Sequence, residues 1–279
     1  MKIAYQGISG SYSESCAKKN YSGCETIACK TFDECFQLAN NDHNIKAIIP
    51  EQNQLIGNIN IEFLIFKYRL NIYAEHFFPI NHNLLVLSGA KIEDIKDVYS
   101  HTAALSQSTG FIKKHNLIEN VMADTAGSAK FVFLTKDKSK AAIASKLSAE
   151  IYGLNILKSD IQDDKVNFTR FLVFQKDIVQ PEFKENEKYI TSFLFKLKSK
   201  PAALYQALSG MAVRSCDMTK LQSFPDKGAF SSYFFLCEVD GHIEEKKIAE
   251  SLHDLELHCT EFQLLGVFKQ DPFRKKQIN

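Results

Sequence analysis

Three short stretches of this sequence place hydroxyl side chains where a strand pattern gives way to a helix pattern: residues 7–14, 100–102 and 124–128. In an open α/β sheet, such junctions lie at the carboxyl ends of the strands, where ligands bind. Helix N-termini carry free N–H groups and a partial positive charge, which suit an anion. Helix capping alone explains any single junction. The three together predict a pocket for a small organic carboxylate.

The first and third junctions supply candidate binding groups. These are Ser11, Ser13, Asp124 and Thr125. Ser11 also has the capping-box spacing to Glu14. Capping is the commoner use of an aspartate such as Asp124.

Arg170 is a further candidate, because it follows Thr169 at the start of a predicted strand. A guanidinium beside a hydroxyl can bind a carboxylate through several donors. The commoner use of such an arginine is a salt bridge. His101 has no carboxylate or nucleophile beside it in the sequence, which favours a structural role. The residues by themselves therefore indicate a binder of a small organic anion in an α/β cleft.

Apolar runs alternate with amphipathic stretches over about the first 175 residues, which predicts an α/β domain. The predicted strands are residues 2–6, 47–50, 84–88, 98–100, 141–144 and 170–175. The predicted helices begin near Tyr12, Thr31, Ile61, Ala103, Ala126 and Ser145. The last of them ends at Gly153, a residue type typical of helix C-termini.

The polar stretch 176–188 contains Pro181 and predicts a linker between two domains. A β-α-β-β-α-β pattern follows it, as in ferredoxin-like domains. Its predicted strands are residues 189–197, 217–224, 230–239 and 259–268, with a turn at 225–228. Its first helix opens at Pro201, and its second carries Ile248, Leu252 and Leu255.

Composition argues against several classes of protein. The net charge of +1 gives no support for a nucleic-acid or anionic-membrane partner. No stretch approaches the roughly 20 apolar residues of a membrane span, and Gly7 interrupts the N-terminus before a signal-peptide core. The seven cysteines have no Cys-x-x-Cys spacing and the histidines no ligand spacing. We therefore expect a cytoplasmic protein without a disulfide framework or a zinc site.

From about residue 2 to residue 268 the chain resembles the prephenate dehydratase family. The similarity lies in an ordered set of motifs: the opening loop 3–13, the inter-lobe strand 79–85, residues 99–107, 124–126 and 152–163, and Asn167…Thr169-Arg170-Phe171. Each motif is weak alone, but their order is specific. The tail resembles an ACT domain, the family's phenylalanine sensor.

The resemblance implies a two-lobed, periplasmic-binding-protein-like catalytic domain followed by a ferredoxin-like ACT domain. We expect the catalytic domain at residues 1–176, the linker at 177–188, the ACT domain at 189–270 and a C-terminal tail at 271–279. ACT domains commonly pair through their sheets, so we also expect a homodimer, with a homotetramer as the alternative.

The resemblance further implies a carbon–oxygen lyase of phenylalanine biosynthesis, which converts prephenate into phenylpyruvate, carbon dioxide and water without a cofactor or metal. The catalytic residues it implies are Thr169, Asn53, Gln107 and Ser100, with Arg170 and Phe171 joining the binding groups named above. Aromatisation drives the reaction, so the protein must mainly position and desolvate the substrate and help hydroxide leave. Thr169 suits a hydrogen-bond donor or relay, because a neutral threonine is a very weak acid.

Two pocket motifs depart from the family pattern. Residues 50–54 read Pro-Glu-Gln-Asn-Gln where the family usually has Pro-Ile-Glu-Asn-Ser. Residues 100–103 read Ser-His-Thr-Ala in place of Ser-His-Pro-Gln. Neither change removes the four implied catalytic residues, so we expect an active enzyme. The alternatives are an arogenate dehydratase, with the same chemistry on the aminated substrate, and a non-catalytic sensor of a small anion.

The predicted effector site departs further. Ala202-Ala203-Leu204 stands for the family's Gly-Ala-Leu, and Gln222-Ser223-Phe224-Pro225 stands for Glu-Ser-Arg-Pro. Ala202 adds a methyl group where glycine would allow close approach of a ligand. Gln222 and Phe224 replace two charged side chains. The sequence therefore predicts that phenylalanine binding is weakened or lost.

Overall fold

The computed structural model describes residues 1–226 and 232–276. The chain forms two compact units. The first comprises Met1–Leu38, Asn44–Ile59 and His76–Phe171, and the second comprises Ala39–His43, Asn60–Glu75 and Leu172–Asn279. Within the described residues, no helix is long and apolar enough to cross a membrane.

The described strands are, in chain order, β1 Lys2–Gln6, β2 Glu25–Cys29, β3 Ile45–Asn53, β4 Gly57–Asn58, β5 Asn71–Pro79, β6 Asn83–Val86, β7 Asp97–Ser100, β8 Ile118–Val121, β9 Lys140–Ala144, β10 Asn155–Lys158, β11 Phe168–Gln175, β12 Tyr189–Leu197, β13 Met218–Pro225, β14 Tyr233–Asp240 and β15 Cys259–Lys269. The described helices are α1 Tyr12–Asn20, α2 Phe32–Asn41, α3 Glu62–Tyr68, α4 Thr102–Ser106, α5 Thr109–Lys114, α6 Thr125–Thr135, α7 Lys146–Tyr152, α8 Ala203–Val213 and α9 Lys246–Leu257.

The first sheet has the strand order β2-β1-β3-β11-β5, with β4 paired to β3. β1 runs parallel to both of its neighbours. Its central residues Ile3 and Ala4 are fully buried, as are Ala47 and Ile48 of β3. Such continuous apolar runs are typical of parallel strands covered on both faces. β5 and β11 continue along the chain from one unit into the other.

The second sheet has the strand order β10-β6-β9-β7-β8 and lies within the first unit. β7 is parallel to β8 and β9, whereas β6 is antiparallel to β9 and β10. The chain enters this lobe after Ile80 and returns at Asn167, and the Ile80 N–H donates a hydrogen bond to the Asn167 carbonyl at 2.8 Å. The two sheets therefore form two lobes joined by adjacent crossing segments.

The third sheet has the strand order β13-β14-β12-β15, with every pairing antiparallel. With α8 and α9 it gives the predicted β-α-β-β-α-β order. Phe193, Phe195 and Leu255 are fully buried in its core. The predicted α/β fold class with a ferredoxin-like second part is confirmed. Residues 227–231, which include part of the predicted turn and the predicted start of a strand at Phe230, lie outside the described residues, as do 277–279 of the predicted tail.

The types of the predicted helices and strands agree with the structure more closely than their ends do. The sequence patterns did not predict β2, β4, β5, β8, β10 or α5. Most side chains of β5 are only half-buried, so its apolar alternation is weak. The helix expected at Pro201 begins at Ala203, because Ala202 adopts a left-handed conformation with φ of 59°. The helix expected near Ala103 is the short α4.

Candidate active site

A pocket of about 380 Å³ lies in the first unit and is lined by residues of both lobes. Eight of the predicted site residues line it: Ser11, Ser13, Asn53, Gln107, Asp124, Thr125, Thr169 and Phe171. The other polar side chains of the lining are Gln6, Tyr12, His82 and His101. The described lining includes no lysine or arginine.

The first junction forms one wall of the pocket. Ser11 caps α1, and its Oγ accepts a hydrogen bond from the Glu14 N–H at 3.3 Å. The Glu14 carboxylate accepts from the Gly10 N–H at 2.7 Å, one residue earlier than a standard capping box. Burial raises the pKa of Glu14, but hydrogen bonds from Lys18, Gly10 and Thr26 outweigh it and hold the pKa below its usual value.

The second lobe holds this wall through the main chain. Ser145 and Ser148, at the start of α7, both donate hydroxyl hydrogen bonds to the Gly10 carbonyl, at 2.5 and 2.9 Å. Tyr152 donates to the Ser9 carbonyl at 2.8 Å. A Cβ atom at Gly10 would lie 2.6 Å from Ser148 Oγ and 2.9 Å from Ser148 Cα, and the φ of Gly10 is 96°. Gly10 is therefore required both by its conformation and by the approach of α7.

The junctions at residues 100–102 and 124–128 differ in which of their predicted side chains reach the pocket. Asp124 caps α6, with Oδ1 accepting from the Gly127 N–H at 2.6 Å, so the predicted capping use of this aspartate is observed at the pocket. His101 caps α4 through Nδ1. Ser100 is fully buried and donates to the Ile143 carbonyl at 2.6 Å, so the structure does not bring its hydroxyl into the pocket lining.

Asn53 and Thr169 meet at the base of the pocket, although they are 116 residues apart in the chain. Asn53 Nδ2 donates to Thr169 Oγ1 at 2.9 Å and to Asn167 Oδ1 at 2.9 Å. Its Oδ1 accepts from the N–H groups of Leu55 and Ile56, each at 3.0 Å. Both side chains are almost fully buried. The hydroxyl of Thr169 is thus held in one place by a fixed amide.

A chain of polar contacts continues from this pair. Gln107 Oε1 lies 2.9 Å from Asn167 Nδ2 and 3.0 Å from His82 Nε2. His82 Nδ1 lies 2.8 Å from the Tyr12 hydroxyl. Burial lowers the pKa of His82, and the hydrogen bond with Gln107 only partly offsets this effect. Burial also raises the pKa of Tyr12. Both rings are therefore neutral near pH 7.

Comparisons with known proteins identify the family of this chain. Residues 3–178 match the family model described as prephenate dehydratase. Arogenate dehydratase 2 of Petunia hybrida is 35% identical over 286 residues, which cover 97% of this chain and 72% of the relative. The bifunctional N-acyl-homoserine lactone acylase/prephenate dehydratase of Komagataeibacter europaeus is 33% identical over 276 residues and 98% of each chain. The chain belongs to the prephenate dehydratase family.

Several solved structures share the fold of this chain. GqqA, described as a quorum quenching acylase, superposes with a TM-score of 0.92 at 33% identity and covers 98% of this chain and 100% of its own. The prephenate dehydratase of Staphylococcus aureus superposes with a TM-score of 0.80 at 26% identity, with 96% and 100% covered. The prephenate dehydratase of Arthrobacter aurescens in complex with L-Phe has the same fold, with a TM-score of 0.85, 24% identity and coverage of 97% and 90%.

In the family motif Thr169-Arg170-Phe171, Arg170 does not line the pocket. Successive side chains of a strand point to opposite faces, and here Thr169 and Phe171 line the pocket while Arg170 does not. Arg170 Nη1 lies 3.2 Å from Glu51 Oε2, and the two residues are only 4% and 1% exposed. The structure therefore shows the salt bridge that is the commoner use of such an arginine.

The predicted effector residues separate into two places in the second unit. Ala202, Ala203 and Leu204 line a concavity of about 710 Å³. Gln222 does not line it, and its Nε2 donates a hydrogen bond to Glu62 of α3. Ser223 is exposed.

Phe224 also turns toward α3. Its ring centroid lies 5.9 Å from that of Phe234 and 6.5 Å from that of Phe66. The altered motif therefore packs with a helix of the family-matched region.

The pattern analysis missed three site residues: Tyr12, His82 and Asn167. All three lie inside motifs that carry the resemblance, and Asn167 is two residues before Thr169. A search for neutral side chains that can both donate and accept would have found them. Within residues 1–226 and 232–276, no three His, Cys, Asp or Glu side chains cluster as metal ligands do.

Proposed function

We propose that the pocket converts prephenate into phenylpyruvate by loss of carbon dioxide and water. The observation that carries the proposal is the Thr169 hydroxyl at the pocket wall. Its oxygen accepts a hydrogen bond from Asn53 Nδ2, and among the described residues its proton is donated to no other group. That proton is therefore available to the hydroxyl group that leaves prephenate.

The pocket suits a reaction in which a carboxylate disappears. Prephenate carries two carboxylates, and the lining offers hydroxyls and the N-termini of α1 and α6 rather than cationic side chains. Neutral donors bind a carboxylate without holding it as strongly as an arginine would. Ile56, Ile80 and Phe171 add apolar walls, which favour the change from a charged carboxylate to neutral carbon dioxide. The residues require no cofactor for these steps.

Turnover of prephenate by the wild-type chain and by Thr169→Ala tests the proposal. We expect Thr169→Ala to lower kcat by roughly 10²–10⁴-fold, the usual contribution of a positioned proton donor. Thr169→Ser should retain most of the activity, because it keeps the hydroxyl. Thr135→Ala, at the far end of α6, serves as a control. Near-normal phenylpyruvate formation by Thr169→Ala would overturn the proposed role.

Arogenate is the second candidate substrate. Several relatives are named arogenate dehydratases, and the Asp124 carboxylate lines the pocket, where it could accept a hydrogen bond from an ammonium group. Comparison of kcat/KM for the two substrates decides between them. If arogenate is the substrate, Asp124→Asn should lower kcat/KM for arogenate far more than for prephenate.

Acylase activity and pure sensing are the remaining alternatives. One relative is named as a bifunctional acylase and dehydratase. In the described lining, however, no serine or cysteine hydrogen-bonds to a histidine, as a nucleophile activated by such a base would. Release of homoserine lactone from an N-acyl-homoserine lactone would establish the acylase. Tight binding of prephenate without turnover would establish a sensor.

We also propose that phenylalanine regulates this chain weakly or not at all. Gln222 and Phe224 replace charged side chains of the family motif and contact α3. Ala202 takes a left-handed conformation where the family has glycine. Calorimetry with the full chain should show no micromolar binding of L-phenylalanine. The homodimer expected from the ACT resemblance is tested separately by light scattering.

A further inference from the structure

The hydrogen bonds around Thr169 have a direction, because the main chain fixes one end of them. Asn53 Oδ1 faces the N–H groups of Leu55 and Ile56. A backbone N–H can only donate, so the atom it faces must be the amide oxygen. The amide nitrogen of Asn53 therefore has to face Asn167 and Thr169.

This direction passes along the chain by pairing donors with acceptors. Because Asn53 Nδ2 donates to Asn167, the atom of Asn167 that faces it is Oδ1. The Asn167 nitrogen then faces Gln107, whose facing atom must be Oε1. His82 Nε2 lies 3.0 Å from that same oxygen, so Nε2 must carry a proton.

At the other end of this series of contacts, Tyr12 does not fix the tautomer by itself. A neutral imidazole has one proton, so His82 Nδ1 is an acceptor. The Tyr12 hydroxyl lies 2.8 Å from Nδ1 and 2.8 Å from the Asn81 carbonyl, so its one proton is shared between two acceptors. The opposite tautomer would place the Nε2 lone pair against Gln107 Oε1, or would force the Gln107 amide to turn over.

Among the members of this series that line the pocket, two groups still have a hydrogen to donate. These are the Gln107 amide nitrogen and the Thr169 hydroxyl, and both residues line the pocket. Within residues 1–226 and 232–276, neither group donates to another side chain or carbonyl. Any substrate in the pocket thus meets two hydrogen-bond donors whose direction is set by the backbone of residues 55 and 56.

We propose that His82 and Asn167 are positioning residues, which hold Gln107 and Thr169 as a pair of hydrogen-bond donors toward the substrate. The tautomer of His82 that this requires is set from the Asn53 end. The identity of the substrate rests on the proposed function, whereas the direction of the hydrogen bonds does not. Neither positioning residue needs to touch the substrate or exchange a proton with it.

The tautomer of His82 can be read directly by nitrogen NMR of the full chain labelled with ¹⁵N-histidine. We expect neutral His82 protonated at Nε2. Asn167→Asp should reverse the direction of the hydrogen bonds from Gln107 to His82. A carboxylate only accepts, so Gln107 must turn its amide nitrogen toward it. His82 should then be protonated at Nδ1 alone, and kcat should fall by about 100-fold, as for a misplaced reacting group.

Tyr12→Phe gives a milder test with a matched control. We expect the Nδ1 signal of His82 to shift while Nε2 stays protonated, and kcat to fall by about 3–10-fold, the effect of one neutral hydrogen bond. Tyr21→Phe removes a similar contact, from the Tyr21 hydroxyl to His76 Nε2 at 2.9 Å, outside the pocket lining. It should leave both kcat and the His82 signal unchanged.

Two results would overturn the inference: a wild-type His82 protonated at Nδ1 alone, or an Asn167→Asp variant in which Nε2 stays protonated. The NMR measurement needs no substrate. If the predicted tautomers are observed but prephenate is not turned over, the proposed function fails and the positioning inference stands.

Discussion

Residues 50–54 at the pocket and residues 222–225 in the second unit are both stretches where the chain departs from the family pattern. In the first stretch, Glu51 is buried against Arg170, and Asn53 keeps its contact with Thr169. In the second, Gln222 bonds to Glu62, and Phe224 packs near Phe66. The replacing side chains make contacts in both stretches. The contact at residues 50–54 is a buried ion pair, and those at residues 222–225 are a hydrogen bond and a ring contact with α3.

The difference lies in which groups remain available to a ligand. In residues 50–54, the replaced side chains at positions 51, 52 and 54 are absent from the pocket lining, and Asn53, the polar side chain of this stretch that lines the cavity, is kept. In the second unit, the replacements change the side chains of the motif itself and engage two of them with α3. We therefore expect the first set of substitutions to leave ligand binding at the pocket intact and the second to weaken it at the predicted effector site.

The largest effect should come from Arg170→Met, which removes one member of a buried ion pair. We expect it to lower the free energy of unfolding by roughly 3–5 kcal/mol, because the Glu51 carboxylate stays buried without this countercharge. Urea unfolding measures the loss. The double variant Glu51→Ile with Arg170→Met should recover most of it. A stable but inactive Arg170→Met would show instead that Arg170 reaches the substrate. The substitutions at residues 50–54 would then also affect ligand binding, as those at residues 222–225 are expected to do.

A smaller effect is expected from Phe224→Ala, in the second stretch. Loss of the ring from the cluster with Phe66 and Phe234 should cost about 2 kcal/mol, less than a fully buried phenylalanine. Phe63→Ala, at an exposed position of α3, should cost under about 0.5 kcal/mol. Turnover by the folded Phe224→Ala protein should be unchanged. A fall in kcat would mean that this stretch also serves the pocket.

The smallest effect concerns the loop that carries Ser11. The pKa of Glu14 is lower in the folded chain than the ordinary pKa of a glutamate. The ionised carboxylate therefore stabilises the fold at pH values above the ordinary pKa. This contribution is lost as pH falls through the folded pKa. We expect Glu14→Gln to cost about 1 kcal/mol at pH 7. The difference from wild type should shrink once pH falls below the ordinary pKa of glutamate. Urea unfolding at several pH values measures it, and a constant difference would contradict the assignment.

Local patterns were enough to predict much of this protein. Ser11 and Asp124 cap their helices as predicted, because capping depends on residues three positions apart. The β-α-β-β-α-β order of residues 189–269 also follows from local periodicity. The ordered motifs from residue 2 to residue 171 predicted the family, which the comparisons confirm. Their implied roles at individual residues stay predictions.

Contacts between distant segments could not be predicted this way. No local pattern shows that Asn53 meets Thr169, that Arg170 faces Glu51, or that the motif at Gln222 contacts α3. These contacts depend on strand pairing and on the face to which each side chain points. A shift of one residue in register would exchange the two faces of β11. The sequence by itself determined most of the elements, the caps at Ser11 and Asp124, and the family of this protein. Only the tertiary structure decided which polar groups face the pocket, because long-range packing and the pairing of every buried donor with an acceptor fix their direction.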